Sequence, residues 1–459
     1  MTPASSPLRP CPSEGESNQS PSRRHWQRRH LDAATRLLLQ RDEEVFLRQS
    51  LSTPCIDVLA GAAGSSLADV EGRTFLDFHG NSAHQVGYGH PRVVEAVVAQ
   101  LQRLPFCPRR YTNLPAIELG ERLAALSPMA GTKILFSPGG TGAVGMALKL
   151  ARMATGRFKT ISMWGSFHGA SLDAISLGGE ALFRQNIGPL LPGTEHVPPA
   201  DPYRCLWNRG GSCNDCDGRC ARYLEYVLDQ EGDIAAVVAE PLRCTSVTAA
   251  PPGYWARVRR ACDRHGTLLV FDETAVCLGR TGTMFACQQE GVEPDILVVG
   301  KGLGGGIFPL AAILARGGLD IAPDRALGHY THEKSPVACA AALAAVEVIV
   351  EEGLCSRANV LGGHAVAFLR RLAERVPHIG DVRGRGLLFA ADLVIDRVGK
   401  EPAVELADRV LYHCLAAGLS FKVSHGGVLT LSPPLTIGEG ELDRALGILA
   451  EALIDQPIS

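Results

Sequence analysis

The sequence predicts an α/β fold, with a large domain whose mostly parallel sheet lies between helices and a smaller α+β domain built from both chain ends. Three observations carry this reading. From about residue 95 to 335, short apolar runs alternate with stretches of helical spacing, the pattern of crossover units that set parallel strands side by side. Two of those runs stop abruptly at one charged residue, Asp272 and Lys301, as buried strands do where they leave a sheet. The chain has 459 residues, too many for one compact core, so two to three domains are expected.

Residues 1–30 are rich in Ser, Pro and Arg and lack apolar periodicity, which predicts a disordered tail. Its basic run, Arg23-Arg24-His25-Trp26-Gln27-Arg28-Arg29-His30, reads as solvated, and no apolar stretch follows to make a secretory signal. Residues 31–95 begin the small domain. Within them, 66–78 reads as a hairpin that turns at Glu71-Gly72. Residues 96–335 form the large domain, with strands expected at 133–136, 159–163, 234–240, 267–272 and 295–299. Residues 336–459 return to the small domain. A long helical pattern from Ala338 to Glu352 opens this part, and an α+β portion containing Asp381-Val382-Arg383-Gly384-Arg385-Gly386 follows. There is no internal repeat.

Hydrophobic residues make up 46% of the chain, enough for a large core, and the net charge of −3 supplies no field for nucleic acid or an anionic membrane. No apolar run reaches the roughly 20 residues that span a bilayer. Fourteen cysteines without a secretory signal point to reduced thiols in a cytoplasmic enzyme. Cys205, Cys213, Cys216 and Cys220 stand apart. A Cys-x2-Cys pair with two more thiols nearby is a candidate structural zinc site, although the spacing is not that of a standard finger; surface-insertion thiols are the alternative.

The chemistry concentrates at strand ends. Lys301 closes the run Ile296-Leu297-Val298-Val299-Gly300 and is followed by glycines that let backbone crowd a ligand, so it is a candidate amine nucleophile. Asp272 closes Leu268-Leu269-Val270-Phe271. A lysine and an acid on two strand ends of one sheet suit pyridoxal phosphate, the lysine as Schiff base and the acid on the pyridine nitrogen. Ser137-Pro138-Gly139-Gly140-Thr141-Gly142-Ala143 follows a strand and opens a helix, where glycines and a hydroxyl suit an anion site; a plain Gly-rich turn is the alternative. Phe167, in Phe167-His168-Gly169 after another strand, is placed either to stack on a flat ring or to pack the core.

Together these motifs resemble the class III (ω-) aminotransferases, fold-type I pyridoxal-phosphate enzymes. The resemblance spans about residues 40 to 455. Its most specific parts are Phe271-Asp272-Glu273 with Gly279-Arg280-Thr281-Gly282, then Pro294 to Gly306, then Ser335-Pro336-Val337-Ala338-Cys339-Ala340. It implies Lys301 as the cofactor lysine, Asp272 on the pyridine nitrogen, Gly140 and Thr141 on the phosphate, and Phe167 over the ring. It also implies a homodimer in which Thr331 reaches the neighbour's phosphate.

The departures from that family pattern bear on activity. Members that use 2-oxoglutarate show an arginine after the aromatic-His-Gly motif, which here is Ala170. Their Gln-Gly-Glu after Glu-Pro is here Arg243-Cys244-Thr245, and the C-terminal arginine that pairs with that Glu is Thr430. The Gln near the cofactor's phenolic oxygen is Ala275. Only a guanidinium gives the bidentate fork a carboxylate needs, so an ordinary 2-oxoglutarate aminotransferase is not expected. New cations, Arg243 and the pair Arg109-Arg110 before Tyr111, would suit a phosphonate or phosphate substrate.

The segments Asp77-Phe78-His79-Gly80-Asn81, His84 to Pro91 and Gly328 to Lys334 resemble the (R)-1-hydroxy-2-aminoethylphosphonate ammonia-lyase branch. That resemblance implies loss of water from a 1-hydroxy-2-aminoalkylphosphonate, yielding phosphonoacetaldehyde and ammonia, with Arg243 and Arg110 as substrate contacts. His84, Tyr111 and His332 are candidate donors to the leaving hydroxyl. The alternative is an aminotransferase for an ω-amine such as 2-aminoethylphosphonate with a keto acid acceptor. A catalytically silent pyridoxal-binding protein is the third reading, and intact Lys301 and Asp272 weigh against it.

Overall fold

The structure is a computed structural model that describes residues 14–207 and 213–455. Seven strands form the main sheet in the order Lys133–Ser137, Ala311–Ala315, Ile296–Val299, Leu268–Asp272, Ile234–Ala239, Lys159–Met163 and Thr194–Val197. Ala311–Ala315 runs antiparallel to both neighbours, and every other pairing is parallel. The central strands are buried along their whole length, which is why they read as continuous apolar runs. Alternate residues serve opposite layers. Val238, Val270 and Val298 pack with Val144 and Leu150 of the helix Gly140–Thr155. Val237, Phe271 and Leu297 pack on the other face with Trp255 and Val258.

Five of the seven strands fall where the sequence places them. Two were not predicted. Thr194–Val197 is a half-buried edge strand with a polar sequence. Ala311–Ala315 is alanine-rich, so its composition favours helix over strand.

Both chain ends meet in one small sheet. Ser66–Asp69 pairs antiparallel with Thr74–Asp77, with Gly72 at φ +85° in the turn, and Leu419–Ser420 pairs parallel to Thr74–Asp77. An antiparallel sheet of Ile379–Arg385, Leu388–Leu393, Val428–Leu431 and Lys422–Ser424 lies beyond it.

The expected disordered tail needs correction. Residues Pro21–His30 form a helix, started by the Ser20 side chain accepting from the Arg23 N–H. Trp26 is buried among Leu31, Leu39, Phe75 and Tyr412, with the Arg73 guanidinium 5.6 Å from its ring. One aromatic anchor among polar residues leaves no periodicity to detect, yet it supplies a large buried area. Residues 1–13 of the expected tail lie outside the described residues. Among the described residues, no helix is long and apolar enough to cross a membrane.

Candidate active site

The strands ending at Asp272 and Lys301 are parallel neighbours, with Asp272 in register with Val298. Their carboxyl ends therefore open on the same edge of the sheet, where open α/β sheets bind ligands. Lys301 is exposed and sits at φ +46°, a left-handed conformation unusual for a residue with a side chain.

Asp272 is 6% exposed. Burial alone would raise its pKa, but the bonds to its oxygens win and hold it below the ordinary carboxylate value. His168 Nδ1 donates to Oδ2 at 2.9 Å, and the Thr274 hydroxyl and N–H donate to Oδ1 at 2.5 and 3.1 Å. The acid is thus kept ionised inside the protein. Ser162 Oγ lies 3.3 Å from His168 Nε2 and fixes the ring.

Thr274 joins the parts. A Cβ on either Gly140 or Gly300 would come within 3.0 Å of its methyl group, so the helix start, the lysine loop and the acid converge there. Helix Gly140–Thr155 has no side-chain cap at its N-terminus, which leaves first-turn N–H groups for an anion. Gly142 is obligatory, because a Cβ would meet Ser137 Oγ at 2.6 Å and Tyr330 Oη at 2.9 Å. Thr141 Oγ1 lies 2.7 Å from Ser171 Oγ and accepts from the Ser171 N–H at 3.2 Å. An amine at one strand end, a buried ionised acid at the next and a glycine cradle at a helix start fit pyridoxal phosphate.

Phe167 is partly open and packs tilted against Phe183 with ring centroids 4.4 Å apart, while its N–H donates to Glu240. Arg243 reaches toward Gly165, with Nε and Nη2 buried and unpaired. It lines a cavity with Glu240, Asp201 and Trp255. Ala275 is buried, in a small apolar cluster with Leu242 and Leu388. Thr331 and Arg110 are exposed. His84 is buried beneath Gly80, beside the Asp77 carbonyl, and Tyr111 and His332 face outward. The Thr430 hydroxyl donates to the Thr245 carbonyl at 2.8 Å, so these two substituted positions lie together.

Sequence reasoning gave no role to four residues here: His168, Thr274, His79 and Lys422. His168 and Thr274 had a signal, since one follows Phe167 and the other lies two residues after Asp272. His79 stood in the Asp77–Asn81 segment without a role of its own, and Lys422 had no signal, because its place depends on long-range folding.

The four-cysteine zinc site is not supported. Among the described residues, no three His, Cys, Asp or Glu side chains are grouped to hold a metal. Cys216 and Cys220 are buried. Cys220 packs in the core with Leu224 and Leu228, and burial pushes its thiol up to about 11, which disfavours the thiolate a metal needs.

The chain matches the family description Aminotransferase class-III over residues 50–453. It is 47% identical to the (R)-1-hydroxy-2-aminoethylphosphonate ammonia-lyase of Vibrio splendidus (strain 12B01), covering 96% of this chain and 95% of that protein. It is 36% identical to the leucine/methionine racemase of Thermococcus litoralis, covering 91% and 95%. An amine transaminase from an uncultivated Pseudomonas species, solved in its PLP-bound form, shares the fold with a TM-score of 0.82 at 32% identity, covering 90% of this chain and 99% of that one. The sheet-edge lysine, the acid beside it and these likenesses agree: the chain belongs to the class-III aminotransferase family and uses pyridoxal phosphate.

Proposed function

We propose that this protein is an ammonia-lyase that removes water from a 1-hydroxy-2-aminoalkylphosphonate and releases phosphonoacetaldehyde and ammonia. One observation carries the reading. Where a 2-oxoglutarate aminotransferase places a Glu–Arg pair to manage a carboxylate, this chain has Thr245 and Thr430 bonded to each other. The Vibrio relative's activity supports it.

Pyridoxal phosphate, when bound, supplies the electron sink for a carbanion next to the amine. Asp272 stays ionised and sets the pyridine nitrogen's protonation. Lys301 Nζ takes the proton from the amine-bearing carbon. The hydroxyl on the neighbouring carbon leaves as water, and the resulting enamine takes up water to give the aldehyde and ammonia. Gly140 and Thr141 would hold the cofactor's phosphate, and Phe167 would lie over its ring. Arg243 and Arg110 attract the phosphonate; the unpaired Nε and Nη2 of Arg243 are free to bond its oxygens. The active unit is a homodimer in which Thr331 reaches the neighbour's phosphate. The described cysteines are all free, which fits a cytoplasmic setting.

The test is incubation with the hydroxyaminophosphonate, with and without keto acid. Ammonia and phosphonoacetaldehyde should form in step with no keto acid present. Arg243→Ala should weaken the phosphonate substrate by roughly tenfold to a hundredfold and leave a neutral amine of similar size little affected. Nitrogen release that requires pyruvate or 2-oxoglutarate, with alanine or glutamate accumulating, would establish the aminotransferase instead.

A further inference from the structure

Lys422 opens the strand Lys422–Ser424 and pairs in register with Thr430, the position that carries an arginine in carboxylate-reading members. The cation has therefore moved one strand across. Lys422 is only partly exposed. Among the described residues, no hydrogen bond or ion pair holds its ammonium. Burial and the charge of Lys301 hold Lys422 below the ordinary lysine value, against the pull of Cys244 and Glu180.

The neighbours do not neutralise it. His79 lies near both Lys422 and Lys301; burial, then the Lys422 charge, pushes it down to about 4, so it is uncharged at neutral pH. His425 is exposed, lies 3.1 Å from Thr245 Oγ1, and has the Arg243 and Lys422 charges as neighbours. Arg243 and Lys422 thus act on one imidazole from nearby positions. Among the described residues, neither cation has a bonded carboxylate; Lys422 lies near Lys301, and Arg243 shares the His425 side chain with it as a neighbour. A desolvated ammonium without a partner is costly, and an anion removes that cost.

We propose that Lys422 is a second anion-reading residue of this site, donating from Nζ to one oxygen of a substrate phosphonate while Arg243 takes another. The phosphonate identity rests on the lyase reading. A dianion with three acceptor oxygens suits a point-charge ammonium paired with a planar guanidinium. A substrate without that dianion leaves Lys422 unpaired, so the residue also rejects neutral amines.

The experiment uses the cofactor-loaded enzyme and methylphosphonate, which binds without turning over. Calorimetric titration compares wild type with Lys422→Met, Lys422→Gln and Lys422→Arg. Methylphosphonate should bind wild type and lose roughly tenfold to a hundredfold in affinity in the Met and Gln variants. Lys422→Arg should recover most of that loss, and the cofactor absorbance should persist in all four proteins. With the hydroxyaminophosphonate, KM should rise and kcat change little. Unchanged methylphosphonate affinity in the Met and Gln variants overturns the proposal. So does a loss confined to kcat, which would assign proton transfer to Lys422, or no binding to wild type at millimolar concentration. If wild type needs a keto acid to release nitrogen, the lyase reading fails, yet the methylphosphonate titration still decides the role of Lys422.

Discussion

Asp272 and Lys301 were legible as a pair: each ends an apolar run, and although a lone strand-end lysine is usually a loop residue and a lone aspartate often a helix cap, the two together in their surroundings are specific. What keeps Asp272 ionised was not legible. Its bond from His168 joins residues 104 apart in sequence, and only the parallel sheet brings them together. Lys301 shows the same division. Its left-handed backbone is strain that a glycine would avoid, so its retention there points to the amine. Lys301→Ala should lose the absorbance of the lysine-linked cofactor, lose label retention after borohydride treatment, and lose activity. An alanine variant that turned over normally would remove Lys301 from the chemistry. Lys422 marks the limit of sequence reading at this scale. Its strand is three residues long, and its partner Thr430 is set by the sheet.

At the scale of elements, central strands were readable because burial on both faces writes them as unbroken apolar runs. The Ala311–Ala315 strand was not, since alanine carries no strand signal and only its two antiparallel neighbours hold it extended. The helix Pro21–His30 was misread for the opposite reason: its stability comes from tertiary contact and leaves little periodic pattern. Trp26 stacks on His30 at 5.3 Å and lies 6.5 Å from the Tyr412 ring, tying the first described helices to Val404–Ala416. Removing a buried tryptophan side chain costs about 3–5 kcal/mol where the site cannot collapse. Trp26→Ala should therefore lower the denaturation midpoint of the small domain, and proteolysis should then cut near residue 30. An unchanged midpoint with no new cleavage would restore the reading of this segment as a solvated tail.

At the scale of the molecule, one surface is unfinished. Helix Pro91–Arg103 buries Val93 and Val97, while Val94, Val98 and Leu101 stand exposed at helical spacing on another face. Leu114 and Ile117 of the next helix are exposed too, as are Phe106 and Tyr111 between them. This connecting segment touches the loop that holds Thr331: Phe106 lies 5.2 Å from the His332 ring, and Arg109 bonds His329. Apolar exposure of this extent is what an assembly interface would cover, and a closed two-fold dimer is the commonest way to cover it. The expected dimer would bury at least about 1,000 Å² and bring Thr331 and Arg110 to the partner's cofactor. Light scattering on the loaded enzyme should give twice the chain mass. A charge placed in the patch, Val98→Asp with Leu101→Asp, should dissociate it and weaken cofactor retention together. If the double variant were monomeric and still kept its full cofactor, assembly and cofactor retention would be independent properties. The apolar face would remain an assembly surface, but Thr331 would have no part in holding the neighbour's phosphate, and each site would be complete within one chain.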